Sequence, residues 1–176
     1  PPRSTLFPYT TLFRSIKLNI FITLPGSYKF AENGIYNGDE TFKSGQLKVD
    51  DAVIKDWNRV GWGNITYDQG FMGSSNVAAS KLALTLGRAK LKDFYSNLGF
   101  GTKTGLPFPN ESAGTINFKY NTEVASASYG QGITVNAMQI LQALTTLSND
   151  GTMIKQFLQY LFYLDRKSTR LNSSHT

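Results

Sequence analysis

The chain has 176 residues, with no cysteine, one histidine, and 18 basic against 12 acidic side chains, a length that fits one domain or a large piece of a bigger one. Without cysteine there can be no disulfide framework or thiolate metal site. The only histidine, His175, stands next to the C-terminal residue, which argues against a Ser-His-Asp triad or a multi-histidine zinc site.

The two ends of the chain do not read like protein sequence. Residues 165–176 (DRKSTRLNSSHT) match the translation of a common sequencing adapter, and residues 1–15 (PPRSTLFPYTTLFRS) match that of the opposite adapter. We therefore interpret both ends as non-native tails and 16–164 as a partial domain. The tails carry five basic side chains and one acidic one, which leaves 13 basic and 11 acidic groups in the remainder. Because these alternate instead of forming one basic face, nucleic-acid binding is not expected.

The first part of the remainder predicts little regular structure. Residues 16–36 begin apolar and become polar, with Pro25-Gly26 breaking the pattern, which indicates an irregular helix or helix-turn. Residues 37–65 are rich in glycine, asparagine and aspartate. Their alternating stretches at 46–49 and 52–54 predict short strands joined by loops at a surface.

Helical patterns dominate from residue 66 onward. The predicted helices are 66–72 with Thr66 as N-cap, 76–86 ending at Gly87, 88–97 ending at Gly99, and 135–149 ending before Gly151. The residues predicted to be buried by the third helix are Leu91, Phe94, Tyr95 and Leu98. The residues that share one face of the last helix are Met138, Leu141, Leu144 and Thr145. Residues 99–134, with repeated glycines and prolines, predict an extended, looped crossing.

Five sequence blocks, spread over roughly residues 31–155, occur in a fixed order. The central block, GFMGSSNVA at 70–78, contains a Ser-x-Asn motif. The others are IKDWN and GWG within 54–63, LGFG, TG and PNE within 98–111, SYGQGITV at 128–135, and NDG at 149–151. Together the blocks resemble the transpeptidase domain of class B penicillin-binding proteins, the monofunctional kind of Gram-positive bacteria.

The resemblance implies an α+β fold of the penicillin-binding transpeptidase and serine β-lactamase type, of which this chain holds mostly the helical part. It also implies three elements around one cleft: a Ser-x-x-Lys nucleophile, a Ser-x-Asn loop and a Lys-[Ser/Thr]-Gly strand. Such an enzyme cleaves the terminal D-Ala-D-Ala of a peptidoglycan stem peptide and passes the acyl group to a neighbouring amine. β-Lactams acylate the same serine, and no cofactor is implied.

The Ser-x-Asn motif supplies the first candidate catalytic residues. By the resemblance, Ser74 would pass a proton between the lysine and the leaving or incoming amine, and Asn76 would orient the substrate amide. Ser75, the residue between them, is expected to be structural. The alternative interpretation is that Gly-Ser-Ser-Asn forms only a turn, in which Asn76 caps the next helix.

The nucleophile motif departs from the family pattern. Ser27-Tyr28-Lys29 follows Pro25-Gly26 like a Ser-x-x-Lys motif that is one residue short. Residues two apart on a helix point about 200° from each other, so Ser27 and Lys29 could not share one face of a cleft. Either the motif is damaged here or the true motif lay upstream, and Ser27 and Lys29 are only candidate remnants.

Two triplets match Lys-[Ser/Thr]-Gly, but neither stands at the family position. Lys43-Ser44-Gly45 precedes the Ser-x-Asn motif, and Lys103-Thr104-Gly105 precedes the block at 128–135. In the family, the Lys-[Ser/Thr]-Gly strand comes after the Ser-x-Asn motif and also after the block at 128–135. We interpret each triplet as a surface turn and expect the active centre to be incomplete.

Two groups of side chains have both a structural and a functional interpretation. The aromatic group could be a substrate platform, although buried packing is the more common role of such rings. Its members are Trp57, Trp62, Tyr67 and Phe71. The acidic group has no regular ligand spacing, and its members are expected to be solvated loop charges instead of metal ligands. They are Asp50, Asp51 and Asp56.

The resemblance therefore implies a peptidoglycan D,D-transpeptidase of cell-wall cross-linking, in a chain expected to be inactive alone. The resemblance implies stem peptides and β-lactams as ligands, a membrane-bound cell-wall synthase as partner, and a position at the extracytoplasmic face of the cell membrane. The alternatives are a serine β-lactamase or D-Ala-D-Ala carboxypeptidase of the same fold, and a non-catalytic peptidoglycan-binding module.

Overall fold

The computed structural model describes residues 35–106, 110–148 and 152–154. Its strands are β1 (Thr41–Lys43), β2 (Gln46–Val49), β3 (Ala52–Lys55) and β4 (Asn64–Thr66). Its helices are α1 (Tyr67–Met72), α2 (Asn76–Leu86), α3 (Arg88–Asn97), α4 (Asn121–Ser128) and α5 (Ala137–Ser148). Ser27, Lys29 and His175 lie outside the described residues, as do the proposed boundaries of the tails. The roles suggested for Ser27 and Lys29 and the tail boundaries therefore stay predictions.

The strands form two antiparallel pairs. β1 pairs with β4 along the full length of both strands, and β2 pairs with β3 as a hairpin in which Val49 lies opposite Ala52. In β1 only Phe42 is buried, and its ring stacks on Tyr67 with 4.8 Å between the ring centroids. One buried residue between exposed neighbours is typical of a strand with one solvated face. The prediction of short surface strands within 37–65 is confirmed.

The helices make up the larger part of the fold, and α2 lies at their centre. It packs chiefly against α4, where Ala83 of α2 and Ala125 and Ala127 of α4 are fully buried. The hydroxyl of Ser80 donates to the carbonyl of Ala125 at 3.3 Å, which satisfies a buried polar group between the two helices. Helices and two small antiparallel sheets together give the α+β class that the resemblance implied, with the helical part predominant.

Tyr95 of α3 is the largest fully buried side chain among the described residues. Its hydroxyl donates to the carbonyl of Ala127 at 2.9 Å, and its ring lies 5.8 Å from that of Phe100 and 5.9 Å from that of Phe118, centroid to centroid. Burial raises the pKa of Tyr95 far above its ordinary value, because the phenolate would be desolvated. The side chain therefore acts as a neutral donor in the core.

The predicted bounds of the first three helices are confirmed, because local signals fix them. Thr66 begins α1 with a reciprocal cap: its hydroxyl accepts from the N–H of Gln69 at 3.2 Å, and the Gln69 side-chain oxygen accepts from the N–H of Thr66 at 3.0 Å. Gly87, with φ of 87°, ends α2. Among the helices of the described ranges, none combines the length and the apolar character that a membrane span requires.

The prediction of a looped crossing over 99–134 is wrong for one segment, because α4 forms within it. The sequence of α4 lacks a strong apolar period. The helix is instead stabilised by tertiary packing of Val124 and the alanines of α4 against α2. The Glu123 carboxylate also accepts hydrogen bonds from the N–H groups of Tyr120 and Lys119, which caps the first turn and lowers the pKa of Glu123. Local propensity alone does not reveal such a helix.

The face of α5 that is buried in the structure coincides only in part with the apolar face that was predicted. Leu141 is 45% exposed, whereas Gln139 is fully buried. The reason is a hydrogen-bond network: the Gln139 amide nitrogen donates to the carbonyls of Thr102 and Ala113, at 2.6 and 2.8 Å. Its oxygen accepts from the N–H of Asn136 at 2.8 Å. A polar side chain that satisfies loop carbonyls turns this face of the helix inward.

Candidate active-site loop

Ser74 lies in the tight connection between α1 and α2. Its N–H donates to the carbonyl of Phe71 at 3.0 Å, and the N–H of Ser75 donates to the carbonyl of Gly70 at 2.8 Å. Within this turn Ser74 has a φ of 55°, the left-handed region. That conformation is uncommon for a residue other than glycine and persists only where the surroundings hold it, often at functional sites.

Ser75 is buried and begins α2. Its hydroxyl accepts from the N–H of Ala78 at 3.0 Å and donates to the Asp56 carboxylate at 2.8 Å. Ser75 is thus the N-cap, the structural role that the sequence predicted for the middle residue of the motif. The alternative in which Asn76 supplies the cap is wrong, because Asn76 is already the first helical residue.

Asn76 bonds to a strand instead. Its side-chain nitrogen donates to the carbonyl of Lys55 at 2.9 Å, which ties the start of α2 to the end of β3. Ser74 and Asn76 are both partly exposed, and they stand on either side of buried Ser75. The loop therefore presents the two predicted site residues toward solvent and anchors itself through the residue between them.

The expectation that Asp56 is a solvated loop charge is wrong. Asp56 is only 1% exposed, and its carboxylate accepts from the N–H of Gly45 at 2.7 Å, the hydroxyl of Ser75 at 2.8 Å and the N–H of Val77 at 3.0 Å. A buried carboxylate needs such donors to offset its lost hydration. Within the described ranges, no group of three or more histidine, aspartate or glutamate side chains is placed to hold a metal ion.

The expectation that the two tryptophans are buried is also wrong. Trp57 is 59% exposed and Trp62 is 38% exposed, and their rings meet edge to face at 6.0 Å. The indole N–H of Trp57 donates to the carbonyl of Gly73 at 2.9 Å, immediately before Ser74. Phe71 is partly exposed as well, whereas Tyr67 is buried as expected. The aromatic surface therefore adjoins the Ser-x-Asn loop.

Lys43-Ser44-Gly45 is not the simple surface turn that the sequence predicted, because Ser44 and Gly45 are buried and only Lys43 is exposed. Ser44 is 5% exposed; its hydroxyl donates to the carbonyl of Gly63 at 2.8 Å and accepts from the N–H of Trp62. Gly45 has a φ of 101° and contacts Gly61 so closely that a Cβ on Gly61 would meet the Gly45 nitrogen at 2.4 Å. Through Asp56, this triplet shares a carboxylate with the Ser-x-Asn motif.

The second triplet, Lys103-Thr104-Gly105, is tied to Glu111. The carboxylate accepts from the N–H and the hydroxyl of Thr104, at 2.8 and 2.6 Å, and from the N–H of Gly105 at 3.3 Å. The side-chain nitrogen of Asn136 donates to it at 3.3 Å. Desolvation raises the pKa of Glu111, but these hydrogen bonds outweigh it and hold the pKa below its usual value. The triplet is thus a loop clamped to the start of α5.

Sequence reasoning named Ser74 and Asn76 but missed Asp56 as part of their setting. The signal that could have indicated Asp56 is its place in the chain, directly after β3. The last residue of β3, Lys55, binds Asn76. An aspartate at the end of a strand can face the N-terminus of a following helix, where a carboxylate is stabilised. Nothing in the local sequence indicated which helix that would be.

Comparison with known proteins defines the class. A family model for the penicillin binding protein transpeptidase domain matches residues 28–169, most of the chain. The chain therefore belongs to the penicillin-binding protein transpeptidase family, as the sequence blocks indicated.

Particular relatives agree with this assignment. Stage V sporulation protein D of Bacillus subtilis (strain 168) is 31% identical over 68% of the chain and 19% of its own length. The probable peptidoglycan D,D-transpeptidase PenA of Neisseria gonorrhoeae is 37% identical over 46% of the chain and 14% of its own length. The crystal structure of penicillin binding protein 2X from Streptococcus thermophilus superposes with a TM-score of 0.66 and 32% identity, covering 71% of the chain and 19% of that protein. The chain thus spans less than a fifth of each of these relatives.

Proposed function

We propose that this chain supplies the Ser-x-Asn element of a peptidoglycan D,D-transpeptidase, which cross-links the cell wall by serine acyl transfer on stem peptides ending in D-Ala-D-Ala. The observation that carries the proposal is the form of the loop. Ser74 and Asn76 are partly exposed on either side of buried Ser75, and Ser74 is held in the left-handed region. Membership of the transpeptidase family supports the class of reaction.

In the proposed reaction Ser74 and Asn76 assist a nucleophilic serine. The nucleophile's oxygen attacks the carbonyl carbon of the penultimate D-Ala, the peptide C–N bond breaks, and the terminal D-Ala leaves once its nitrogen has received a proton. An incoming amine then attacks the resulting ester, and the proton that it loses returns to the serine oxygen. A hydroxyl both donates and accepts, so Ser74 can relay this proton in either direction.

Asn76 has the groups needed to orient a peptide bond. One N–H of its amide is used on the Lys55 carbonyl, which fixes the plane of the side chain. Its second N–H and its oxygen have no hydrogen-bond partner among the described residues. A donor and an acceptor side by side suit the carbonyl and the N–H of a substrate amide.

The nucleophile itself stays a prediction. Because Ser27 and Lys29 are two residues apart, a helix would not direct both into one cleft, and we expect no covalent labelling of the chain by a fluorescent reporter penicillin. The test is a gel of the labelled chain beside Ser27→Ala. Labelling that Ser27→Ala abolishes would identify Ser27 as a working nucleophile and contradict the expected incomplete centre.

Noncovalent binding tests the proposal directly. The ¹⁵N-labelled chain is titrated with an N-acetylated peptide ending in D-Ala-D-Ala and with the same peptide ending in L-Ala-L-Ala. We expect the D,D peptide to shift the signals of Ser74 and Asn76. Asn76→Ala should weaken that binding at least about tenfold, as expected for the loss of one or two hydrogen bonds. The control is Asn117→Ala, which truncates an exposed asparagine elsewhere in the chain and should leave the binding unchanged. Equal shifts with both peptides, or none with either, would refute the proposal.

We also propose that the protein works at the extracytoplasmic face of the cell membrane beside a membrane-bound cell-wall synthase. The basis is the family's reaction, since cross-linking needs newly made glycan strands on that side. A reporter enzyme that is active only outside the cytoplasm, fused to the gene product in its own host, should be active. An inactive reporter on a stable fusion would contradict this location.

A further inference from the structure

We propose that Asp56 is a positioning residue, whose carboxylate holds the Ser74–Asn76 loop in the conformation that receives the substrate. The significance of this role depends on the proposed function, but the geometry stands independently of it. Asp56 joins three segments of the chain: the connection between β1 and β2, the Ser-x-Asn loop and the first turn of α2.

The two carboxylate oxygens divide the donors between them. One oxygen accepts from both the hydroxyl of Ser75, at 2.8 Å, and the N–H of Val77, at 3.0 Å. The other accepts from the N–H of Gly45 at 2.7 Å. The first four N–H groups of a helix lack partners within the helix, and here Asp56 and the Ser75 cap satisfy two of them, those of Val77 and Ala78.

The arrangement requires a carboxylate. An asparagine amide at this position would have one oxygen and one NH₂ group. If its oxygen faced Ser75 and Val77, its NH₂ would meet the N–H of Gly45, donor against donor. If it were turned over, the NH₂ would face the N–H of Val77. In either orientation a buried donor loses its acceptor, so Asp56→Asn changes the site with almost no change in volume.

The constraint that Asp56 imposes extends to both Ser74 and Asn76 through the adjacent backbone. Asp56 binds Ser75 and Val77, and the carbonyl of the preceding residue, Lys55, binds the Asn76 side chain, so three consecutive residues of the motif are held by two consecutive residues at the end of β3. The left-handed Ser74 precedes this anchored segment directly. A strained conformation persists only when its surroundings fix it, and the Asp56 anchor supplies that constraint on one side.

The test compares Asp56→Asn with Glu111→Gln in the ¹⁵N-labelled full chain. Glu111 is a matched control because its carboxylate also accepts several hydrogen bonds from loop donors, at the start of α5. For Asp56→Asn we expect amide exchange at Gly45 and Val77 to accelerate by about tenfold or more, as expected for the loss of a hydrogen bond to a charged group. The Ser74 amide and Asn76 side-chain signals should move toward unstructured values, and D,D-peptide affinity should fall by a similar factor. Glu111→Gln should change none of these.

Unchanged Ser74 and Asn76 signals in folded Asp56→Asn would overturn the proposal, as would equal loss of peptide affinity in Glu111→Gln. If the wild-type chain binds no D,D peptide, the proposed function fails, while the loop signals still decide the positioning role. Should Asp56→Asn not fold, Ser75→Ala removes one donor to Asp56. The Asn76 side-chain amide, which is bonded to Lys55, must then exchange faster, and an unaltered rate would overturn the proposal.

Discussion

The hydroxyl of Tyr95 and the carbonyl of Ala127 form a hydrogen bond at 2.9 Å that joins α3 to α4 inside the core. Tyr95 is fully buried, so water cannot replace either partner. α4 in turn packs against α2, the helix that begins at the Ser-x-Asn loop.

Tyr95→Phe should destabilise the protein by about 1–2 kcal/mol, because it leaves the Ala127 carbonyl buried without its donor. Tyr129→Phe is the control. The Tyr129 hydroxyl lies 3.5 Å from the Ser126 hydroxyl in a partly buried position, and its loss should cost less than about 0.5 kcal/mol. Urea unfolding followed by circular dichroism measures both. Equal midpoints for the two variants would contradict the importance of the Tyr95 bond.

Ser75→Ala should destabilise the protein by about 2 kcal/mol, of which the lost helix cap accounts for about half and the lost donor to Asp56 for the rest. Ser96→Ala replaces an exposed serine on α3 and should change the free energy of unfolding by less than about 0.5 kcal/mol. Thermal unfolding of both variants gives the comparison. A Ser75→Ala protein as stable as Ser96→Ala would show that the cap contributes nothing.

Gly70→Ala should destabilise the protein by about 1–2 kcal/mol through overpacking. A Cβ at Gly70 would lie 2.8 Å from the ring of Phe42 and 3.2 Å from the Cβ of Ala78, so α1 would have to move away from β1 and α2. Because the Gly70 carbonyl accepts from the N–H of Ser75, that movement would also shift the amide signals of the Ser-x-Asn loop. A variant with wild-type stability and wild-type loop signals would contradict this packing.

Glu111→Gln should reveal a pH-dependent contribution to stability. The folded-state pKa of Glu111 lies below its ordinary value of 4.5, so its contribution is fully present above that pH and is lost as the pH falls through the folded-state pKa. We expect the variant to be less stable than the wild type by roughly 1 kcal/mol near neutral pH, a figure kept small because Glu111 is partly exposed. The difference should shrink in acid. Denaturant melts at several pH values measure it, and a constant difference would contradict the role of the carboxylate.

Local signals in the sequence were sufficient for the helices around the motif. The cap at Thr66 and the stop at Gly87 lie within a few residues of the boundaries that they set, so α1, α2 and α3 could be predicted to the residue. α4 could not, because Val124 and its neighbours are helical through packing against residues about 40 positions away. Secondary structure that depends on distant contacts leaves little trace in a local pattern.

The candidate site divides in the same way: part of it could be predicted from the local sequence and part could not. Ser74 and Asn76 could be named because their residue types and order form a motif. The burial of Asp56 and the exposure of Trp57 could not, because both depend on how the segment after β3 meets the loop before α2. An aspartate in a polar stretch and a tryptophan beside it predict the opposite of what the structure shows: the aspartate faces inward and the tryptophan outward.

The location of the tryptophans gives this protein a built-in optical reporter. Trp57 and Trp62 are the two tryptophans of the whole sequence, they contact each other, and Trp57 is hydrogen-bonded to the residue before Ser74. Indole emission is sensitive to solvent contact, so selectively excited fluorescence from this chain comes from the neighbourhood of the Ser-x-Asn loop and nowhere else. Ligand arrival or loosening of that loop can therefore be followed in real time, without any attached dye.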